Sequence, residues 1–450
     1  MPAGWVLLHN PAAHPLIMPL FEEHPQRRAL NDEVHSRPPV PLNTPELVSY
    51  LAFLHVDGSA DLEPAHLHQL AAQLGLPEPG TDTGHVSLEL GEFRLSWERH
   101  SEFSSYTFFR HVPGTGDGDG ADPALLTVPA GWRKGIPGQL IVATQVEVRD
   151  ADEVPPETII AQEGHDFTPT VASQIAGGAG WVLTDFRIVD GFSRFVVFNR
   201  SLTPRQAGRS VQRLVEIETY RVMALLAFPV AKDVGRLLAR AEGELADLMD
   251  NMGNSTSTDD ERHVLNRLTR LAAEVERSVA RTTFRFGAAA AYYQLVRQRI
   301  EDLREVRLDG YPPIREFMDR RLAPAIATCA TMARRQEDLS GRIARNSQLL
   351  RTRVDIEIER QNQELLAQMN RRAKLQLRLQ ETVEGLSVVA ITYYASQLVQ
   401  YLAKGGKDYL APATPEVITA VSIPIIAGLV ALGLRRMRRQ LAAEEAVPGH

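Results

Sequence analysis

Two long apolar stretches near the C-terminus, each flanked by basic residues, constrain this chain more than any other feature. Val383 to Leu402 reads VEGLSVVAITYYASQLVQYL, and Val417 to Leu434 reads VITAVSIPIIAGLVALGL. Both approach the roughly 20 residues that a helix needs to cross a hydrocarbon core about 30 Å thick. The link between them, KGGKDYLAPATPE, is a short turn rich in Gly and Pro. Arg371, Arg372, Lys374 and Arg378 precede the first stretch, and Arg435, Arg436, Arg438 and Arg439 follow the second. The turn carries only Lys404 and Lys407, offset by Asp408 and Glu416. Because basic flanks stay cytoplasmic, the pattern predicts a transmembrane helical hairpin over 383–434, with spans 383–402 and 417–434. It also predicts a basic cytoplasmic tail over 435–450 and an N-terminus on the same side. The alternative is a buried helical hairpin in a soluble protein. The uncharged run from Ile418 to Leu434 and the two basic clusters argue against it.

The first span is the more polar one. Ser387, Tyr394, Gln397 and Tyr401 recur at spacings of seven, three and four, which places them on one helical face. Tyr and Gln near Leu402 suit the outer membrane interface. The same face could instead pack against copies of itself, around water, as a pore or helix-packing surface.

Ahead of the membrane segment, residues 201–382 read as a helical bundle and a long amphipathic, coiled-coil-like arm. A helix is predicted from about Asp259 to Leu308, broken at Asp309-Gly310-Tyr311-Pro312-Pro313. A second starts near Ile314 and has no clear stop before the membrane; Pro324 can kink it early. From Ala325 to Leu402 it would span roughly 115 Å. Its apolar stripe includes Ile343, Leu350, Val354, Ile358, Leu365, Met369, Leu379 and Val383. Such a stripe must be covered. The cover is either an antiparallel helical hairpin whose lower part self-associates, or an intramolecular bundle completed by helices around Pro204–Phe228 and Lys232–Met249.

Residues 1–200 read as a cytoplasmic α+β domain, a mainly antiparallel sheet with helices on it. Strands are predicted at Val86–Leu90, Phe93–Glu98, Ser105–Arg110, Gln139–Arg149, Trp181–Val189 and Phe192–Asn199. Asp190-Gly191 between the last two favours a two-residue hairpin turn. A helix is expected over Pro64 to Leu74, with the proline in its first turn and Gly75 as its stop. Thr203-Pro204 caps a further helix that covers one sheet face.

Composition narrows the chemistry. Net charge is −7, which gives no domain-wide basic surface for nucleic acid. Cys329 is the only cysteine, so an intramolecular disulfide and thiolate metal clusters are excluded. Met1 to Leu20 has no basic n-region and does not read as a secretory signal. Gly177-Gly178-Ala179-Gly180 precedes a strand rather than a helix, so it lacks the helix N-terminus of a phosphate loop. TGDGDGAD (115–122) lacks the glutamate of a calcium loop. The densest polar cluster is His24, Asn31, Asp32, Glu33, His35 and Arg37. It could bind a metal or move protons, but such a segment more often caps and salt-bridges a domain edge. No catalytic, cofactor-binding or metal-binding residue is assigned, and no cofactor is expected.

Several stretches carry a resemblance. HPQRRALNDEVHSRPP (24–39), VLTDFRIVDGFSRFVV (182–197), LTPRQAGRSVQRLVEIETYRVMALLAFPVA (202–231) and RTRVDIEIERQNQELLAQMNRRAKLQLRLQETVEGLSVVAITYY (351–394) resemble an uncharacterised bacterial family. Its members are described as predicted membrane-anchored proteins containing domain of unknown function 3422. The resemblance implies a bacterial inner-membrane protein and brings no activity with it. The layout is also similar to that of CorA-type magnesium transporters. The Gly-Met-Asn motif of that family is absent, however, and Lys404 and Lys407 would repel magnesium at an outer mouth.

The expected function is therefore a non-enzymatic, membrane-anchored protein that self-associates or scaffolds partners. Its partners would be the lipid bilayer, further copies of the chain and an unknown cytoplasmic protein, with no nucleic acid. An oligomeric channel lined by the first span is the alternative. A membrane-bound enzyme using the His24–Arg37 cluster is the second.

Overall fold

The computed structural model describes residues 24–27, 30–31, 39–81, 84–112, 123–151, 158, 160, 170–254, 258–406 and 414–445. The fold is α+β. The chain divides into two units, residues 1–254 with 266–345, and residues 255–265 with 346–450.

In the first unit the elements follow as β1 (Glu46–Leu54), α1 (Ser59–Gln73), β2 (His85–Glu89), β3 (Arg94–Arg99), β4 (Phe103–His111), α2 (Ala130–Lys134), β5 (Gln139–Asp150), β6 (Val171–Ile175), β7 (Gly180–Val189) and β8 (Phe192–Asn199). Helices α3 (Pro204–Leu225) and α4 (Ala227–Asn254) come next. Then come α5 (Thr258–Leu303), the short β9 (Val306–Arg307), α6 (Ile314–Arg321), α7 (Ala323–Gly405) and α8 (Pro415–Glu445). The strands form one sheet of order β2-β3-β4-β1-β5-β8-β7-β6-β9. All of its pairings are antiparallel except β5 with β8.

Side chains alternate across a strand, so β1 feeds two cores. On one face Leu51 joins Trp97, Tyr106 and Phe108 beneath Leu67 and Leu70 of α1 and Trp132 of α2. Trp132 donates its indole N–H to the His66 carbonyl at 2.7 Å, and the His66 ring stacks on it at 4.4 Å. On the other face Val48, Tyr50 and Ala52 are buried, and Tyr50 Oη lies 2.9 Å from Thr219 Oγ1 of α3. Thr203 closes a reciprocal capping box with Gln206, and Pro204 occupies the first helical position, as expected. Asp190 and Gly191 both have positive φ and turn β7 into β8.

Five elements differ from expectation. The central strand β1 and the short β6 and β9 were not singled out by the sequence pattern. Helix α1 begins at Ser59, five residues before the proline expected in its first turn. Pro64 has no N–H for the Ala60 carbonyl, and Arg99 Nη2 donates to that carbonyl instead, at 2.5 Å. Helix α5 stops at Leu303 rather than near Leu308, because Arg304 adopts positive φ and Val306–Arg307 pairs with β6.

In the first unit α5 packs antiparallel to both α4 and α7. Glu244 pairs with Arg267, and Glu242 with Arg335, across α4–α5 and α4–α7. Gln336 donates to Ser278 Oγ at 2.8 Å, and Ser340 bonds Glu276, across α5–α7. The bundle thus includes α4, one of the two helices that the second expected arrangement calls on. In the second unit Arg353 pairs with Glu261, and Val354 is the last buried apolar residue of α7 before a bare stretch. Every residue from Glu359 to Val383 is exposed. The helix continues unbroken through Gly385 to Gly405.

Candidate functional site

The most polar surface inside the first unit lies between the sheet and α3. Register places Ser96, Thr107, Tyr50, Thr144 and Ser193 side by side across β3, β4, β1, β5 and β8. Of these, Ser96, Thr107 and Tyr50 line a narrow cleft under α3 of about 40 Å³, enough for two or three water molecules. Glu98, His100, Ser105, Gln212, Glu216 and Tyr220 are among the residues lining it. Gly208 also lines the cleft because the Val40 carbonyl passes where a Cβ would sit, 2.0 Å away. Glu216 is bonded by Arg299 and by Gln212 Nε2 at 3.1 Å; burial nevertheless raises its pKa. Burial likewise holds Tyr50 and Tyr220 well above the ordinary phenol range. Tyr50 and Tyr220 are thus kept as hydrogen-bonding phenols, and Glu216 is held in its pair with Arg299.

A second cluster has the composition of a nucleophilic triad. Ser104 and Glu63 are fully buried, and His55 sits at their rim. Ser104 Oγ donates to Glu63 Oε2 at 2.7 Å, while His55 Nε2 lies 2.9 Å from the same Oγ. Ser104 Oγ is thus held on both sides within the cluster, by the Glu63 carboxyl and by the His55 ring. A triad needs an accessible hydroxyl, and Ser104 is fully buried, so the cluster reads as a buried polar network. Arg99 completes it, 3.5 Å from Glu63 Oε2 and over the Trp97 ring. Burial raises the pKa of Glu63. Sequence reasoning missed this set because its members come from a loop, a helix and two strands. The only local hint was Glu63 on the inner face of α1.

Of the cluster expected near the N-terminus, His24 and Asn31 are described. His24 Nδ1 accepts the Gln26 N–H at 3.2 Å. Asp32, Glu33, His35 and Arg37 lie outside the described residues, as does TGDGDGAD. Gly177 and Gly178, both with positive φ, belong to the turn between β6 and β7, with no helix following. Among the described residues no three His, Cys, Asp or Glu side chains are grouped to hold a metal.

At the C-terminal end, α8 is the one described helix long and apolar enough to cross a membrane, over Pro415–Met437. None of that segment's most apolar window is buried; Val417, Val421, Ile425, Leu429 and Leu432 are all more than half exposed. The preceding end of α7 is helical but less apolar. Tyr394 and Tyr401 are about 70% exposed, while Ser387 and Gln397 are half-buried. The buried residues there are Thr392, Ser396 and Ala403, on the opposite side of the helix from the expected polar face. Arg371, Arg372, Lys374, Arg378, Arg435 and Arg436 are exposed. Arg438 and Arg439 belong to the helical end of α8.

The model of a family described as a protein of unknown function, DUF3422, matches residues 22–441. No curated protein and no solved structure matches the chain, so the likeness to CorA-type transporters finds no support.

Proposed function

The chain belongs to the DUF3422 family of proteins of unknown function, and from that premise, which assigns no activity, we propose a non-enzymatic, membrane-anchored protein that self-associates through its helical arm. The observation that carries the reading is the exposure of α8. A core helix of a soluble protein would be buried, whereas no residue in the most apolar window of α8 is buried and most of its large apolar side chains are exposed. In water that surface would drive aggregation, and in lipid it is the required one.

The end of α7 acts as the second span. Its buried Thr392, Ser396 and Ala403 form a stripe of small residues. A half-buried stripe of α8, Ile418, Ser422, Ile426, Val430 and Leu434, recurs at the same helical period. Small residues let two helices approach closely in lipid, which supports a hairpin of the two. The basic residues on both outer flanks then place the sheet domain, the arm and the tail in the cytoplasm, at the inner membrane of a bacterium. The Ser104, His55 and Glu63 cluster has its hydroxyl fully buried, which supports a binding rather than a catalytic role.

Extraction of membranes with alkaline carbonate tests the anchor. Retention of the full-length protein in the pellet is the expected result; quantitative release into the supernatant overturns the reading.

A further inference from the structure

The pairing of cations changes along α7. Arg353 pairs with Glu261 at 2.7 Å, and Arg360 with Glu357 and Glu364 at 2.8 and 3.3 Å. From Leu365 to Gln380 the helix has no acidic residue. Within it Arg371, Arg372, Lys374 and Arg378 are exposed, and no carboxylate among the described residues is paired with them. At about 100° per residue Arg371, Lys374 and Arg378 fall within roughly 60° of one another, a cationic stripe about 10 Å long. Like charges three and four residues apart destabilise a helix unless an anion lies between them. Beside the stripe runs an exposed apolar one, Leu375, Leu379, Val383 and Leu386.

The position agrees with that surface. With hydrocarbon beginning at Val383, Arg378 and Arg371 stand roughly 8 and 18 Å from it, within the headgroup layer and the screening length beyond. Arg435 and Arg436 leave the α8 span at the same membrane face. We infer that Arg371, Lys374 and Arg378, supported by Arg372, Arg435 and Arg436, bind the anionic headgroups of membrane lipids. The inference rests on the anchoring proposed above. The phosphate group is the chemistry recognised, and the lipid headgroup is its source.

The test uses the full-length protein in vesicles of phosphatidylcholine containing roughly 30% phosphatidylglycerol, an anionic fraction chosen to give a surface potential. After gentle solubilisation, native mass spectrometry counts the lipids retained on each chain. The ratio of phosphatidylglycerol to phosphatidylcholine on the protein should exceed the bulk ratio about five-fold or more, the factor that about 1 kcal/mol for a single engaged cation supplies. The R371Q/R372Q/K374Q/R378Q variant should lose most of that enrichment. Inserted protein that retains both lipids in their bulk ratio overturns the inference, as does a variant that enriches as strongly as the parent. Displacement of the bound lipid by millimolar inorganic phosphate would show a free-anion site and overturns it as well. A parent protein that does not insert at all sinks the anchoring reading instead, and the carbonate extraction reports that separately.

Discussion

Glu63 sits where no water reaches it, held by Ser104 Oγ and approached by Arg99, and its pKa is raised first by burial. A carboxyl that binds its proton more tightly folded than unfolded makes the folded state gain protons. Stability therefore falls as pH rises from the unfolded value, about 4.3, through the folded one. Glu46 and Glu216 are shifted in the same direction by burial, so the effect accumulates. Thermal melts of the full chain should show a midpoint that declines from pH 5 towards neutrality, and Glu63→Gln should flatten that decline. An unchanged slope in the variant would show that the carboxyl does not titrate there. Gly208 offers a steric test. A methyl group at that position would meet the Val40 carbonyl at 2.0 Å. Gly208→Ala should cost about 1–3 kcal/mol in denaturant unfolding, the usual range for overpacking. Neither position was marked in the sequence. Glu63 and Gly208 look like surface-helix residues until the strands beneath them are placed, because burial is set by partners distant in the chain.

At the scale of elements, local chemistry made some features legible. Thr203-Pro204 with Gln206 is a complete capping signal, and Asp190-Gly191 is a complete turn signal; the structure has both. Thr203→Ala should lower stability by about 1 kcal/mol in the same unfolding assay, as cap removal does elsewhere. The strands that escaped notice lacked such signals. Glu46–Leu54 is an almost continuous apolar run, since both faces of β1 are covered, so it has no alternation to read. Val171–Ile175 is too short to show any period. Pro64 was misleading for a different reason. Its lost hydrogen bond is replaced by Arg99, a residue 35 positions away in the chain. The polar face of Ser387, Tyr394, Gln397 and Tyr401 was read from the first span alone. The side of that span that is buried depends on what packs beside it. Helix α8 was legible because length and apolarity are local properties. A single arginine at the middle of a span costs about 2.5–3.5 kcal/mol of insertion free energy. Ile425→Arg should therefore shift the protein from the carbonate-resistant pellet towards the soluble or aggregated fraction. Full retention would show that α8 is not the anchor.

For the whole molecule, the open problem is the cover of the arm. Between Glu359 and Val383 nothing among the described residues shields α7, and Leu365, Leu366, Met369, Leu375 and Leu379 are all more than half exposed. An isolated amphipathic helix draws little stability from its own hydrogen bonds and most from packing of its apolar face. Copies anchored in one membrane share a direction, so the available partner is a parallel neighbour. Parallel alignment would stack Glu357, Glu359 and Glu364 of one copy on those of the next. Arg360 already pairs with Glu357 and Glu364 within each copy, which removes most of that repulsion. Association should then depend on apolar burial more than on salt. The Leu365→Gln/Met369→Gln variant removes two apolar side chains from the stripe and leaves every charge in place. Native mass in lipid nanodiscs should show a defined oligomer for the parent chain and a shift towards monomer for this variant, with little change between low and moderate salt. A monomeric parent would mean that the arm's apolar face is covered by something other than a second copy, with the bare stretch next to the basic residues resting on the lipid surface.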